Sequence, residues 1–304
     1  MEELGAHASM NGEIIKIEDA KIHVLTPAAK YASAVFEGLR GYWNPEQEKL
    51  FLFRLNDHIR RMFDGMKILR FETDATPQQI HDWTIDLMRA NNHRETIHFR
   101  IFAFIDGFGM QGSCGPVSYC ITSTVAPRKA AFVDGIRLGV SSWLRISDTV
   151  MPPRVKCVAN YHNGRLAILQ AEAEGFDYPL FLTAHGKVSE TAGSCLFLVK
   201  NSRVITPDLG SDILESITRD TAIRIARDEM GVDVEERPVD RSEIYLADEA
   251  FITGSHQEIR PVISLDGIKI GSGKRGPFVE EIQNRYIDLV EGRTESPDGW
   301  CLPV

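Results

Sequence analysis

Residues 153–197 read PRVKCVANYHNGRLAILQAEAEGFDYPLFLTAHGKVSETAGSCLF, and the order of elements within them decides the fold. An extended segment carries Lys156, and Tyr161 follows just before a run, 163–174, whose apolar residues recur at helical spacing. A short apolar strand at 179–184 comes next, and Glu190 then stands at a strand-to-turn transition ahead of Thr191-Ala192-Gly193. Strand, helix and strand in that order describe an α/β chain. Toward the C-terminus the pattern predicts strands at 195–199, 203–206 and 249–253, with helices at 217–230 (ended by Gly231) and 277–290. Toward the N-terminus it predicts a strand at 137–146 and two more at 96–105 and 117–125, joined by a Gly-rich loop. Helices are expected at 57–69, capped by Asn56 or Asp57, and from Pro77 to about residue 91. Residues 10–53 read as β-rich, with an Asn11-Gly12 turn, a strand-like piece at 22–25 and another from Phe36 to Trp43.

A chain of 304 residues exceeds the size at which one hydrophobic core stops growing, so two domains are expected. Apolar period is lost at Ala126-Pro127-Arg128-Lys129-Ala130-Ala131, which sets a small α/β domain at 1–126, an interdomain loop at 127–136 and a larger domain at 137–304. A 43% hydrophobic and 25% charged composition is ordinary for a soluble globular protein. The net charge of −9 argues against nucleic acid or an anionic membrane as partner. No apolar run is long enough to span a bilayer, and the start, MEELGAHASMNGE, lacks the marks of a secretion signal. Cysteines 114, 120, 157, 195 and 301 form no CxxC pair, which suits reduced thiols in a cytoplasm. Nine scattered histidines give no metal-ligand spacing.

Lys156 taken alone is most simply a surface lysine whose stem lies along a strand edge. Its neighbours Val155, Cys157, Val158 and Ala159 are small or apolar, an unusual place for an ammonium, and the unprotonated amine is the form that attacks a carbonyl. Glu190 is most simply a solvated turn residue; opposite a pyridine nitrogen it would keep the ring cationic. A lysine that reaches an aldehyde and a carboxylate that holds a ring nitrogen protonated are the two groups pyridoxal phosphate chemistry needs. Ser216-Ile217-Thr218-Arg219-Asp220 opens a periodic helix whose N-terminus suits a phosphate, or is an ordinary Ser216 cap. Arg60 and Arg61 are adjacent on a helix, so one faces inward while the other stays in solvent. Thr253-Gly254-Ser255 offers further donors to an anion. Two motifs fail their context: Gly107-Phe108-Gly109-Met110-Gln111-Gly112 is followed by a strand rather than a helix, and Gly271-Ser272-Gly273-Lys274-Arg275 has Ile268 and Arg275 where a P-loop needs glycine and a hydroxyl. No GxSxG elbow is present.

Five ordered pieces carry a resemblance that runs from Asn11-Gly12-Glu13 to Gly276-Pro277: Tyr31-Ala-Ser-Ala-Val-Phe36-Glu-Gly38-Leu-Arg40, Lys156 with Asn160-Tyr161, Val188-Ser189-Glu190-Thr-Ala-Gly193, Ile217-Thr218-Arg219-Asp220 and Tyr245-Leu-Ala-Asp248-Glu249. Together they resemble the class IV pyridoxal-phosphate aminotransferases and, within them, the branched-chain amino acid aminotransferases. The resemblance implies fold type IV, an α/β (α+β) architecture with a small α/β domain and a larger domain around a barrel-like β-sheet. It implies that Lys156 holds the cofactor and shuttles the proton between the substrate α-carbon and C4′, with Glu190 on the pyridine nitrogen and Tyr161 on the 3′-oxygen. Arg61, Ile217, Thr218 and Ser255 would hold the phosphate. Tyr31, Phe36, Gly38, Arg40, Arg100 and the loop near Met110 would line the substrate pocket, completed by a second subunit of a homodimer or larger assembly.

Some positions depart from the family pattern. His98 stands where a tyrosine that helps bind the substrate carboxylate is usual, His256 replaces a small residue, Cys195 replaces an asparagine, and Glu215-Ser216 replaces Pro-Gly. The expected reaction is transamination between a small hydrophobic, branched-chain L-amino acid and 2-oxoglutarate. His98 and His256 motivate a second reading, an (R)-selective amine or D-amino acid transaminase on the same fold. An aminodeoxychorismate lyase and a relative with dead chemistry are further alternatives.

Overall fold

The computed structural model describes residues 3–297 and 299–304. The chain forms two compact units: Met1–Pro127 with Val155–Ala159 and Asp288–Val304, and Arg128–Arg154 with Asn160–Ile287. The stretch expected as a loop, 127–136, holds a helical turn, α4 (Ala131–Asp134), and the first residue of a strand.

The first unit is built on strands β1 (His7–Met10), β2 (Glu13–Lys16), β3 (Ala34–Asn44), β4 (Lys49–Phe53), β5 (Ile97–Ile105) and β6 (Val117–Val125), with helices α1 (Pro27–Tyr31), α2 (Leu55–Ile68) and α3 (Pro77–Asn91). Its antiparallel sheet runs β4-β3-β5-β6-β1-β2, and a last short strand, Cys301–Pro303, pairs along the outer edge of β4. Asn11 and Gly12 both take positive φ, 51° and 90°, which makes the two-residue hairpin turn read from the sequence. Residues 22–25 form no strand, and Val24 is exposed. α3 opens with the Thr76–Gln79 capping box behind Pro77. α2 begins before the expected caps. Its N-cap is Arg54 in the left-handed region, with Nε 2.6 Å from Asp57. The cause is distant in sequence: the Arg54 N–H donates to the Trp300 carbonyl and its guanidinium lies 4.1 Å over the Trp300 ring. Alternation along β3 puts Val35, Glu37 and Leu39 on the buried face with α2, and Phe36, Gly38 and Arg40 on the other.

The second unit carries β7 (Ile136–Val140), β8 (Tyr178–Leu182), β9 (Val188–Thr191), β10 (Cys195–Lys200), β11 (Arg203–Thr206), β12 (Val234–Glu236), β13 (Glu249–Gly254), β14 (Glu258–Leu265) and β15 (Ile268–Lys269). Six of these close a ring: β10 pairs with β13, β13 with β14, β14 with β7, β7 with β8, β8 with β9, and β9 with β10 again. This ring is the barrel implied by the resemblance, filled by Leu138, Leu180, Val188, Leu196, Ile252 and Val262. The parallel β7–β8 pair is crossed over by α5 (Tyr161–Ala173). α6 (Ile217–Arg224) runs into a π-helical turn, Ile225–Glu229, where one continuous helix was expected. α7 (Arg241–Ile244) and α8 (Pro277–Val290) complete the unit's helices, α8 ending in the first unit's C-terminal segment. The strand predicted at 137–146 stops at Val140, because Ser141 turns the chain by accepting from Trp143 N at 3.0 Å and Arg145 leaves for an ion pair.

Candidate active site

In the first unit the segment Val155–Ala159 lies against β3. Cys157 bridges to Val35, and the Phe36 N–H donates to the Lys156 carbonyl at 3.0 Å. Val155 and Cys157 are buried, while Lys156 is half-buried with Nζ 5.0 Å above the Phe36 ring centroid. The β3–β5 register sets Gly38 opposite Arg100 and Arg40 opposite His98, so Phe36, Gly38, Arg40, His98 and Arg100 share one face with Lys156 near its end. Arg100 places its guanidinium 5.3 Å from the Phe36 centroid, Arg40 donates to the Ala126 carbonyl at 2.9 Å, and the His98 ring fills the space a Gly38 side chain would need. That face is cationic, with the Phe36 ring as an aromatic floor and Phe102 opposite it in register. Tyr31 and Met110 are exposed at 38% and 73%, and their segments meet where Lys30 of α1 donates to the Gly109 carbonyl at 2.7 Å.

On the opposite face of β3, Glu37 is fully buried and takes a bidentate pair from Arg61, Nε at 2.8 Å and Nη2 at 2.6 Å, with His58 Nδ1 at 2.7 Å. Burial pushes the Glu37 carboxyl up, but Arg61 and His58 together outweigh it and hold it at about 2. Burial likewise pushes His58 down, against the pull of Glu37, which accepts from its Nδ1. Of the adjacent arginines, Arg61 is the inward one and Arg60 the solvated one, 13% and 73% exposed at the side chain.

The second unit carries Glu190, Tyr161, Ile217, Thr218 and Ser255. Glu190 lies on β9, 3% exposed, opposite Cys195 of β10. Its Oε1 accepts from Arg145 Nη2 at 2.6 Å and from Leu214 N at 3.1 Å. Tyr161 opens α5, which packs close to the turn after β9 because Gly164 has no side chain to hold it off Ala192. Ile217 and Thr218 are buried in the first turn of α6, capped by Ser216 Oγ on Arg219 N at 3.3 Å. Arg219 itself is structural, donating to Pro207 O and pairing with Glu236. Ser255 is half-buried in the β13–β14 turn and His256 beside it is exposed.

Arg145, Tyr178 and Ser194 escaped the sequence reading. Arg145 sits in Ser141-Ser142-Trp143-Leu144-Arg145-Ile146, and an arginine flanked by large apolar residues was the available signal. Tyr178 is half-buried, and its phenol is pushed up to about 12, first by desolvation and then by nearby Tyr161. The donor set fits pyridoxal phosphate. Glu190 Oε2 is approached by Cys195 Sγ at 3.7 Å, a weak donor, which leaves that oxygen able to accept a ring N–H. Ser194 Oγ and Thr253 Oγ1 are buried hydroxyls with no hydrogen-bond partner among the described residues, beside the Gly254-Ser255 turn, and they suit a phosphate oxygen. No cluster of potential metal ligands occurs among the described residues, and no described helix is long and apolar enough to cross a membrane.

The family description "Amino-transferase class IV" matches residues 34–265. A probable branched-chain-amino-acid aminotransferase of Aquifex aeolicus is 35% identical over 303 residues, covering 98% of this chain and 96% of the relative. The branched-chain-amino-acid aminotransferase of Salmonella typhimurium is 36% identical over 301 residues, covering 97% and 96%. Among solved structures, the holo-form with pyridoxal phosphate of the branched-chain amino acid aminotransferase from Thermobaculum terrenum superposes with a TM-score of 0.94 at 40% identity, covering 99% of both chains. The branched-chain aminotransferase of Thermoproteus uzoniensis, solved with norvaline, gives 0.91 at 34% identity, covering 100% of this chain and 99% of the other.

Proposed function

The chain belongs to the class IV aminotransferases, pyridoxal-phosphate enzymes, and from that premise we propose that it moves the amino group of a branched-chain L-amino acid to 2-oxoglutarate. The observation that carries the reading is Lys156: a lysine pinned by its backbone to β3, with its amine over the Phe36 ring and on the face that holds Arg40, His98 and Arg100. When bound, pyridoxal phosphate supplies an aldehyde carbon and a ring that draws electrons from the substrate α-carbon. Lys156 Nζ would hold that aldehyde carbon and would be the base that moves the proton between the substrate α-carbon and C4′. Glu190, whose Oε1 pairs with Arg145 at 2.6 Å, would hold the proton on the ring nitrogen. Tyr161 would face the 3′-oxygen, and Ile217, Thr218 and Ser255 would hold the phosphate together with Arg61, which keeps its pair with Glu37, and with Ser194 and Thr253 as further hydroxyl donors. The Phe36 ring offers an apolar surface to a branched side chain, and the cationic residues beyond it attract carboxylates.

The same reading makes the protein a cytoplasmic homodimer or larger. Val24, Phe108 and Met110 are exposed at 74%, 78% and 73%, and His23 packs on Phe108 with centroids 5.2 Å apart, an apolar patch suited to a subunit interface. Size-exclusion at micromolar concentration should give at least twice the 34.1 kDa chain mass. The deciding experiment is a half-reaction: holoenzyme mixed in turn with L-leucine, D-alanine and (R)-1-phenylethylamine while the bound cofactor's visible absorption is followed. Bleaching by L-leucine is expected, and Lys156→Ala should slow it by about 10²–10⁴-fold, the share general acid–base transfer supplies. Bleaching only by the amine or the D-amino acid would overturn the substrate assignment.

A further inference from the structure

The two oxygens of Glu190 live in different surroundings. Oε1 is saturated, accepting from Arg145 Nη2 at 2.6 Å and Leu214 N at 3.1 Å. Arg145 cannot swing away: its side chain is 8% exposed, Nε donates to the Asp212 carbonyl at 3.3 Å, its backbone N–H donates to Leu182 O at 2.9 Å, and its guanidinium lies 5.9 Å from the Phe181 ring. Oε2 faces Cys195 Sγ at 3.7 Å, and the same sulfur is 3.8 Å from the Leu214 carbonyl. Burial, and the Glu190 charge beside it, push the Cys195 thiol up, so it stays S–H, with one weak proton to share between two acceptors.

We propose that Arg145 and Cys195 make Glu190 a one-sided acceptor, Arg145 fixing Oε1 while the thiol leaves Oε2 for the cofactor's ring N–H. Both are positioning residues. The proposal rests on the reading that Glu190 faces the ring nitrogen. An asparagine at position 195 has nearly the volume of cysteine but a longer reach and a strong N–H donor, so it would compete for Oε2. Alanine has no donor and leaves a small void. Donation and packing therefore predict opposite orders for the two substitutions.

The test is the dissociation constant of pyridoxal phosphate from the apoprotein, with a pH titration of the bound cofactor's absorption, in Cys195→Asn, Cys195→Ala, Arg145→Met, Glu190→Gln and the Glu190→Gln doubles. Glu190→Gln should weaken binding by about 10–100-fold, the worth of a hydrogen bond to a charged group. Cys195→Asn should weaken it by about 3–10-fold, more than Cys195→Ala does, and should lower the pH at which the absorption changes. Arg145→Met should lose about as much as Glu190→Gln and add nothing when combined with it. If Cys195→Ala is the more damaging cysteine variant, or if Arg145→Met and Glu190→Gln are additive, the proposal falls while the reading of Glu190 stands. If Glu190→Gln binds and absorbs as wild type does, the reading of Glu190 falls and the proposal with it. Should Arg145→Met fail to fold, the order of the cysteine variants still decides.

Discussion

Glu37 is a carboxylate with no water around it, so its charge depends wholly on Arg61 and His58. Burial raises its pKa and the two partners lower it further still, from 4.5 to about 2. A carboxylate whose folded value is depressed adds stability above its unfolded value, lost as pH falls through the folded one. Here that contribution, on the order of 3 kcal/mol, is full above pH 4.5 and fades toward pH 2. His58 acts in the same direction, since burial pushes its folded value below 6.5 and the stability this adds is lost as pH falls. Glu37→Gln should therefore cost about 3–5 kcal/mol at pH 7, by leaving the buried Arg61 charge without its carboxylate. The gap to wild type should narrow by pH 3; urea denaturation at both pH values checks this, and an equal gap would refute the assignment of the charge to Glu37. Adjacency of Arg60 and Arg61 already implies that one of them faces inward. What Arg61 meets there could not be read, because Glu37 lies 24 positions away and is brought in by the packing of α2 on β3.

At the scale of elements, the pieces governed by local chemistry were legible and those governed by partners were not. The Asn11-Gly12 turn, the Thr76 capping box and the 14 residues of α8 are written in turn residues, caps and spacing. The start of α2 is set by Trp300, and the end of β7 by an ion pair that pulls Arg145 away. β9 is four wholly buried residues, too short to announce a period. Gly12 shows how tightly a local signal can bind a whole element. Its φ of 90° suits glycine, a side chain there would run into the Trp83 indole, and Asn11 ties the turn to β6 through Tyr119 N at 2.7 Å. Gly12→Ala should destabilise by about 2–4 kcal/mol from backbone strain and overpacking together. Hydrogen exchange should show the loss first in β1 and β2; protection there at the wild-type level would mean the turn is not what holds the hairpin.

For the whole molecule, the sequence carried the class of fold through five ordered motifs, whereas ring closure and the makeup of the units depend on pairings distant in sequence. β9 and β10 close the barrel at a single register pair, Glu190 with Cys195, which no spacing rule exposes. The first unit is likewise discontinuous: it takes Val155–Ala159 and Asp288–Val304 from far along the chain. Those pieces satisfy backbone and edges that residues 1–127 leave open. Phe36 N–H needs the Lys156 carbonyl, β4 needs the strand Cys301–Pro303 along its edge, and Arg54 needs Trp300 to hold the left-handed start of α2. A fragment of residues 1–127 therefore contains every strand of the sheet but Cys301–Pro303, and without that strand it exposes the apolar edge of β4, Leu50 to Phe53. We expect such a fragment to show strand signal by circular dichroism but no cooperative thermal transition, and to aggregate. Adding residues 288–304 through a flexible linker should restore part of the cooperativity, because it returns the β4 partner and Trp300 while the contacts of Lys156 and Cys157 stay missing. A sharp melt from the 1–127 fragment alone would mean that the sheet is held by its own strands and that Lys156 is carried by the unit without helping to build it.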